Sequence, residues 1–393
     1  MRAVGVTSRG IRTPIVKQGD DLVKIVATSI VDAAKAENFS LKDRDIVGIT
    51  ESVVARTQGN YASLAQIAKD VKSKFPGGVV GLTLPILSRN RFSQILKGIA
   101  MGVDKLYIQL SFPFDEVGNP LLSWEQIDEK NVDPYSDVFT EAEFAETFGE
   151  VVHPFTGVNY ISYYKELAAG KAEIIFANDP RAVLKYTKNV ITADIHSRFR
   201  SKKRLLAAGA EKVVGLDEIL NAPVDGSGYH PQYGLLGSNL ATDETVKLFP
   251  RDTQPFAENV AALLLEMTGK NIEVLVYGDG AFKDPAQGIW ELADPVVSPG
   301  FTPGLSGLPN ELKLKYLADN AIGDQHGEEA NEAIRAMIKQ KQDDLMNNMS
   351  SQGTTPRQIT DLLGSLCDLT SGSGDKGTPV ILIQGYFDTF ADD

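Results

Sequence analysis

The sequence predicts an α+β fold, and three observations point to it. Helix-like and strand-like segments alternate between about residues 172 and 216, a pattern typical of layered α/β structure. Nearer the chain ends, the strand-like segments "DIVGIT" (45–50) and "IEVLVY" (272–277) each follow an amphipathic helical pattern. The 393 residues, 42% of them hydrophobic, are enough to bury the cores of two or more domains.

The elements of the first 160 residues follow from periodicity and from turn residues. Apolar residues at helical spacing predict a helix from Leu22 to Ala33, with Asp20 or Asp21 as its N-cap. A second helix covers Leu64 to Val71 and ends before the Pro-Gly-Gly turn at 76–78. "KLYIQLSF" (105–112) is strand-like. The polar, acidic and proline-rich residues 113–160 predict long loops with short helices.

The rest of the chain alternates more regularly. Strands are expected at "AEIIFAND", "NVITADI" and "KVVGL", with helices through "RAVLKYT" and "SRFRSKKRLLAAG" between them. The loop-like residues 221–234 are a candidate domain boundary. Helices are then predicted over 256–270, with Gly269 near the C-terminus, and over 327–342 and 356–369. "PVILIQGY" (379–386) is the last strand.

The composition excludes several classes of function. A net charge of −13 and a pI near 4.9 disfavour nucleic acid and anionic membranes as partners. The single cysteine, Cys367, excludes an internal disulfide and a cysteine-based zinc site. We find no apolar run of membrane-spanning length and no signal-peptide pattern at the start. We therefore expect a cytoplasmic protein.

One glycine-rich segment precedes the last strand, "TSGSGDKG" (370–377). It matches G-x-G-x-x-G, but the order is helix, glycines, strand, which is the reverse of a dinucleotide-binding motif. Successive backbone N–H groups of such a loop can instead surround a phosphate. Lys376 would add a positive charge, and Ser371 or Ser373 a hydroxyl. The alternative is a flexible connection in which Gly372 caps the preceding helix.

Other candidate site residues lie on predicted strand ends and loops. Asp279 follows a buried strand, where a carboxylate is well placed to bind Mg²⁺ or Mn²⁺; Asp284 is a candidate second ligand and Lys283 a candidate phosphate partner. A solvated Asp-Gly turn with a surface lysine is the alternative. Arg89 and Arg91 are candidates for binding a substrate carboxylate. The basic segment 196–204 is either an anion site or a solvated helix face.

Taken together, these segments resemble the coenzyme F420-0:L-glutamate ligase family, also called the CofE-like family. The resemblance lies in "GIRTPIVKQGDDL" (10–22), "TESVVARTQG" (50–59), "LGSN" (236–239), "MTGKNIEVLVYGDG" (267–280) and "ITDLLGSLCDLTSGSGDKGTPVILIQG" (359–385), in that order. These motifs cover about half of the chain, near both of its ends.

The resemblance implies an enzyme that uses GTP and a divalent cation, Mg²⁺ or Mn²⁺, to join L-glutamate to a small-molecule carboxylate. The γ-phosphate goes to the acceptor carboxylate, and the glutamate amine then displaces phosphate from the acyl phosphate. The residues that would bind nucleotide are Glu51, Ser52, Arg56, Asn239, Gly372, Ser373, Gly374, Asp375 and Lys376. Asp279 matches the metal-binding aspartate of the family. Asp279 and Lys283 would be the catalytic residues.

The resemblance also implies a domain organisation. A CofE-like nucleotide- and metal-binding core would comprise residues 1–80 and 231–393, and residues 81–230 would form a large α/β insertion for substrate binding or dimerisation. A homodimer is expected, because the family core is completed across a two-fold interface.

One departure from the family pattern keeps alternative functions open. Leu236 stands where the family has a metal-binding aspartate. Asp243 or Glu244 would have to replace it. An amide ligase for a different acceptor, or a nucleotide-binding protein without catalysis, are therefore the alternatives.

Overall fold

The computed structural model describes residues 3–85, 92–115, 118–153, 157–194, 197–279, 296–345, 348–351, 357–372 and 375–392. Within these residues the strands are β1 (Thr7–Ile11), β2 (Ile46–Thr50), β3 (Tyr61–Ser63), β4 (Val79–Thr83), β5 (Lys105–Leu110), β6 (Phe139–Thr140), β7 (Ala172–Phe176), β8 (Asn189–Thr192), β9 (Lys212–Gly215), β10 (Asn239–Thr242), β11 (Thr245–Lys247), β12 (Glu273–Asp279), β13 (Val296–Phe301) and β14 (Val380–Gln384).

The α-helices alternate with these strands. They are α1 (Leu22–Ala36), α2 (Glu51–Thr57), α3 (Leu64–Lys74), α4 (Phe92–Met101), α5 (Trp124–Glu129), α6 (Glu141–Phe148), α7 (Tyr160–Leu167), α8 (Arg198–Ala207), α9 (Thr253–Thr268), α10 (Leu314–Asn320), α11 (Gly327–Lys339) and α12 (Ile359–Thr370). Helices together with mixed sheets confirm the predicted α+β class. No helix among the described residues is both long and apolar enough to cross a membrane.

Most predicted elements are present, with one change of helix type. The segment "RAVLKYT" forms a 3₁₀ helix, Pro180–Lys185, rather than an α-helix. Pro180 starts it, Asp179 caps it by accepting a hydrogen bond from the Arg181 N–H, and β8 begins only four residues after it ends. Short connectors of this kind are frequently 3₁₀ helices.

The chain folds into two compact units. Unit 1 comprises Met1–Thr57, Asp252–Asp279 and Val296–Asp393, and unit 2 comprises Gln58–Arg251 and Gly280–Pro295. The candidate boundary at 221–234 therefore lies inside unit 2. The boundaries predicted from the sequence lie at 80/81 and 230/231. The role assigned there to 81–230 stays a prediction.

Unit 1 is a three-layer arrangement around a five-stranded sheet of order β1-β14-β2-β12-β13. Alternate residues of its strands face opposite layers, as the two-residue period requires. Val47 and Ile49 of β2 pack with α1 and α9, whereas Ile46 packs with α12. The sheet therefore uses strands from both ends of the chain to bury two apolar layers.

Unit 2 contains a six-stranded sheet of order β6-β7-β5-β4-β8-β9. All of its strands are parallel except β6. Helices α3 and α4 bury their apolar sides against one face of this sheet, and α8 and the 3₁₀ helix pack against the other. A small antiparallel sheet of order β10-β11-β3 belongs to the same unit.

Candidate functional site at one sheet edge of unit 1

Four chain segments meet at one edge of the five-stranded sheet. Strand β2 is parallel to β12 and antiparallel to β14, which is antiparallel to β1. In this register Ile11 lies opposite Val380, and Val380 lies opposite Ile49. The segments that follow β1, β2 and β12, and the segment that precedes β14, therefore leave the sheet at the same edge. These are the segments that carry the N-terminal motif, Glu51, Asp279 and the glycine-rich loop.

The ends of β2 and β12 bring two acidic residues to neighbouring positions. Glu51 begins α2 directly after β2 and is 4% exposed. A Cβ atom added at Gly278 would lie 2.0 Å from Glu51 Cγ, so the Glu51 side chain runs against the backbone that precedes Asp279. Only glycine leaves room for this approach. The backbone of Asp279 continues β12 opposite Val296.

Helix α2 contains two further residues that were predicted to bind nucleotide. Ser52 and Arg56 are both exposed. Four residues apart on one helix, they lie on the same side of α2. Arg56 is in the last turn of this seven-residue helix.

The glycine-rich loop closes on itself before β14. The Gly372 N–H donates to Thr378 Oγ1 at 2.9 Å, and the two residues form a short bridge. A Cβ at Gly372 would lie 2.2 Å from Lys376 Cβ, so Lys376 packs over the glycine, although it is exposed to solvent. An anion could use the Gly372 N–H only by displacing Thr378. Asp375 is exposed beside it.

A cleft of about 1430 Å³ joins this loop to the N-terminal motif. Its cationic lining residues are Arg9, Arg12, Lys24 and Lys376, and its acidic ones are Asp20, Asp21, Asp32 and Glu37. Thr370 and Thr378 also line it. The cleft therefore combines the "GDD" segment with the glycine-rich loop, which lie some 350 residues apart in the chain.

A buried hydrogen-bond chain holds one wall of the cleft. Arg9 Nη1 donates to Gln384 Oε1 at 2.7 Å, and its guanidinium lies over the Phe39 ring. Gln384 Nε2 in turn donates to Asp45 Oδ2 at 2.7 Å. Asp45 is 2% exposed, and burial raises its pKa. Arg9, Arg12 and Lys24 were not predicted from the sequence. The available signal was the motif "GIRTP" (10–14), which contains Arg12 and follows Arg9, and the motif "GDDL" (19–22), which comes two residues before Lys24.

Asn239 belongs to unit 2. It starts β10 opposite Lys247. Leu236, which the sequence comparison with the family motif set in place of a metal-binding aspartate as an expectation, packs against the core of that unit. Three of the five basic residues of helix α8 form ion pairs: Arg198, Lys202 and Arg204 pair with Asp217, Glu218 and Asp179. Arg200 and Lys203 are exposed. That pairing favours a solvated structural helix over an anion site.

Six predicted site residues lie outside the part of the chain that the structure describes: Arg89, Arg91, Lys283, Asp284, Ser373 and Gly374. Their roles stay predictions. Among the described residues there is no cluster of three or more histidine, cysteine, aspartate or glutamate side chains that could hold a metal ion.

Four of the five motifs therefore meet at one sheet edge of unit 1, beside a polar cleft. A comparison with family sequence profiles gives the class, because the profile described as F420-0:gamma-glutamyl ligase matches residues 10–385. A search among curated proteins finds no match.

The chain belongs to the F420-0:gamma-glutamyl ligase family, over nearly its whole length. Membership supports a role in glutamate ligation by an enzyme that forms amide bonds.

Proposed function

We propose that this protein is a GTP- and divalent-metal-dependent ligase that joins L-glutamate to a small-molecule carboxylate, the coenzyme F420 precursor or an analogue. The observation that supports the proposal is the convergence of Lys376, Glu51 and the end of β12 on one sheet edge. Strands β14 and β12 flank β2, so the loop and Asp279 start about 10 Å apart. One metal-bound triphosphate can span that separation.

The residues at this edge fit a magnesium or manganese ion. Mg²⁺ keeps several water ligands and is bound by one or two carboxylates together with substrate phosphates. A cluster of three acidic side chains is therefore not required. Asp279 would supply one carboxylate, and Glu51, whose side chain lies beside the Gly278 backbone, would supply another. The ion would neutralise charge on the phosphates.

The reaction needs two displacements. In the first, an oxygen of the acceptor carboxylate bonds to the γ-phosphorus, and the bond from that phosphorus to the β-phosphate oxygen breaks, releasing GDP. In the second, the glutamate nitrogen bonds to the acyl carbon, phosphate leaves with the C–O electron pair, and the nitrogen loses its extra proton. Lys376 and Arg12 would stabilise the negative charge on the phosphoryl group.

Phosphate release tests this proposal. Wild-type protein should release phosphate from GTP only when L-glutamate, a carboxylate acceptor and Mg²⁺ or Mn²⁺ are all present. Asp279→Asn should lower that rate at least 100-fold, because a metal-binding carboxylate is lost, while leaving the melting temperature nearly unchanged. Asp324→Asn, at an exposed position of unit 1, is the matched control and should keep full activity. Full turnover by Asp279→Asn would show that the ligand assignment is wrong.

One observation favours a second function. The apolar Leu236 would take the place of a family metal ligand and packs, partly buried, against a core, as expected if catalysis has been lost. A protein of that kind would be stabilised by GTP but would release no phosphate with any acceptor. Replacing GTP by ATP in the same assay tests the nucleotide preference, and sedimentation velocity tests the proposed homodimer.

A further inference from the structure

A row of buried polar side chains crosses the six-stranded sheet of unit 2 at the carboxyl ends of its parallel strands. Thr83 on β4 is the register partner of Gln109 on β5 and of Thr192 on β8. Register partners on parallel strands point to the same face, so the three side chains lie side by side. Thr83 and Gln109 are 0% exposed and Thr192 is 1% exposed.

The row lies on the face of the sheet that α8 covers. A Cβ at Gly81, two residues before Thr83, would lie 2.5 Å from Val183 of the 3₁₀ helix. Val190, two residues before Thr192, packs in one cluster with Val183 and with Leu205 of α8.

Each member of the row carries an oxygen atom without a hydrogen-bond partner among the described residues: Thr83 Oγ1, Gln109 Oε1 and Thr192 Oγ1. The amide of Gln109 is held in one orientation, because its Nε2 donates to the carbonyl oxygens of Ala177 and Asp179, both at 2.8 Å. Buried polar atoms are normally paired, and an unpaired one in a native structure calls for an explanation.

Asp194 adds a carboxylate to the row. It follows Thr192 by two residues, and Ala193 between them still donates to the Thr83 carbonyl, so Asp194 lies on the same face. Its Oδ2 accepts from Ser197 Oγ at 2.6 Å and Ser201 Oγ at 2.9 Å, but Oδ1 has no partner among the described residues. Asp194 is 6% exposed, and burial raises its pKa. A buried carboxylate that is ionised is stabilised by a cationic partner.

Fold topology places this row where ligands bind in parallel sheets. The chain runs from β4 to β5 and β7 on one side of the sheet and to β8 and β9 on the other, so the strand order reverses between β4 and β8. Ligands bind outside the carboxyl ends of the strands at such a point. Thr83 and Thr192 end those two strands. The sequence after β4, "LTLPILSRNRF" (82–92), contains no glycine, so it lacks the phosphate-binding turn of a dinucleotide site.

We propose that the oxygen atoms of Thr83, Gln109, Thr192 and Asp194 bind the ammonium group of a small molecule, and that this molecule is an amino acid. An ammonium donates three hydrogen bonds. Its charge would add to that of Arg198, which both Asp194 and Asp217 face. Gly215 is the register partner of Thr192 on β9, and the Asp217 side chain occupies the space beside it, since a Cβ at Gly215 would lie 2.1 Å from Asp217 Oδ1 and 3.6 Å from Thr192 Oγ1. The choice of L-glutamate as the first amino acid rests on the proposed function.

Binding to the full-length chain tests this site. In calorimetric titrations L-glutamate should bind and glutarate, which lacks the amine, should not. Thr83→Val and Thr192→Val keep the side-chain shape and should each weaken L-glutamate binding about tenfold or more. Thr187→Val is the matched control, because Thr187 Oγ1 already donates to the Val79 carbonyl at 3.1 Å. It should leave the affinity unchanged.

Melting temperatures without ligand give a second readout. Replacing an unpaired hydroxyl with a methyl group removes an unsatisfied polar atom. Thr83→Val and Thr192→Val should therefore melt at or above the wild-type temperature, whereas Thr187→Val should melt below it. A lower melting temperature for both row variants would show that their hydroxyls are structural, and would overturn the proposal.

Two further outcomes would also overturn the proposal. The first is that the row variants bind L-glutamate as tightly as the wild type does. The second is that potassium chloride raises the melting temperature of the wild type as much as L-glutamate does. The first would leave the proposed ligase intact with its amine site elsewhere. Amine binding that depends on the row, without phosphate release, would instead support this site and remove the proposed function.

Discussion

At the scale of single residues, Gly278 fixes the geometry of the sheet-edge site. It lets the Glu51 side chain lie against β12, so two acidic residues reach adjacent strand ends. The position of Asp279 could be predicted from sequence, because it follows a long apolar strand. The burial of Glu51 could not, because it depends on the parallel pairing of β2 with β12, more than 220 residues away in the chain.

Asp45 gives a residue-scale prediction about pH. Burial raises its pKa above the ordinary value of 3.8, so the folded chain binds more protons there than the unfolded chain. The free energy of unfolding therefore falls as the pH rises through the interval between those two values. Asp45→Asn should remove that loss and be more stable than wild type at pH 7. Its single carbonyl oxygen can replace Oδ2, which accepts both from the Lys42 N–H and from Gln384 Nε2.

Urea unfolding at several pH values measures this effect. The stability advantage of Asp45→Asn should disappear below about pH 3, where the wild-type carboxyl is also neutral. Asp324→Asn makes the same change of charge at an exposed position and should follow the wild type. If Asp45→Asn shows the wild-type pH dependence, Asp45 is not the residue responsible.

At the scale of elements, α1 combines a structural and a site role at its first turn. Asp21 Oδ1 accepts from the Lys24 N–H at 3.1 Å, and Asp21 also lines the cleft. Asp21→Ala should lower the free energy of unfolding by about 0.5–2 kcal/mol because the cap is lost. Asp21→Asn keeps an acceptor and should cost much less. Chemical denaturation distinguishes the two variants, and equal losses would show that the charge rather than the cap stabilises the helix.

Elements with strong periodicity were predictable, and elements made by pairing were not. Helix α9 follows from its apolar spacing and from Gly269, which caps it with a φ of 68°. Strand β1, "TSRGI", has only Ile11 buried and gives little periodic signal. It becomes a strand because β14 pairs with it. The polar row of unit 2 was unpredictable for the same reason, because the register of β4, β5 and β8 is set by contacts distant in sequence.

At the scale of the whole molecule, the two units differ in how the chain builds them. Unit 1 takes its sheet strands from three separate stretches of sequence, and β14 lies between β1 and β2. All described residues of unit 2 come from one continuous stretch, Gln58–Arg251. The family motifs at both chain ends indicated that one unit is built from separate stretches of sequence. The insertion was predicted to start after residue 80, as the stretch between the motifs at the two chain ends, whereas unit 2 starts at Gln58.

A comparison of two fragments tests this organisation. Residues 58–251 should fold alone, because they contain both sheets and the apolar core of unit 2. Residues 81–230, the insertion predicted from sequence, lack α3, which buries Leu64, Ile67 and Val71, and also lack β11, which buries Val246. At about 1.5–3 kcal/mol for each buried side chain, this loss is comparable with the whole net stability of a domain, about 5–15 kcal/mol. Circular dichroism should therefore show a cooperative melt for 58–251 and none for 81–230. A cooperative melt of the shorter fragment would mean that α3 and β11 add little to the core.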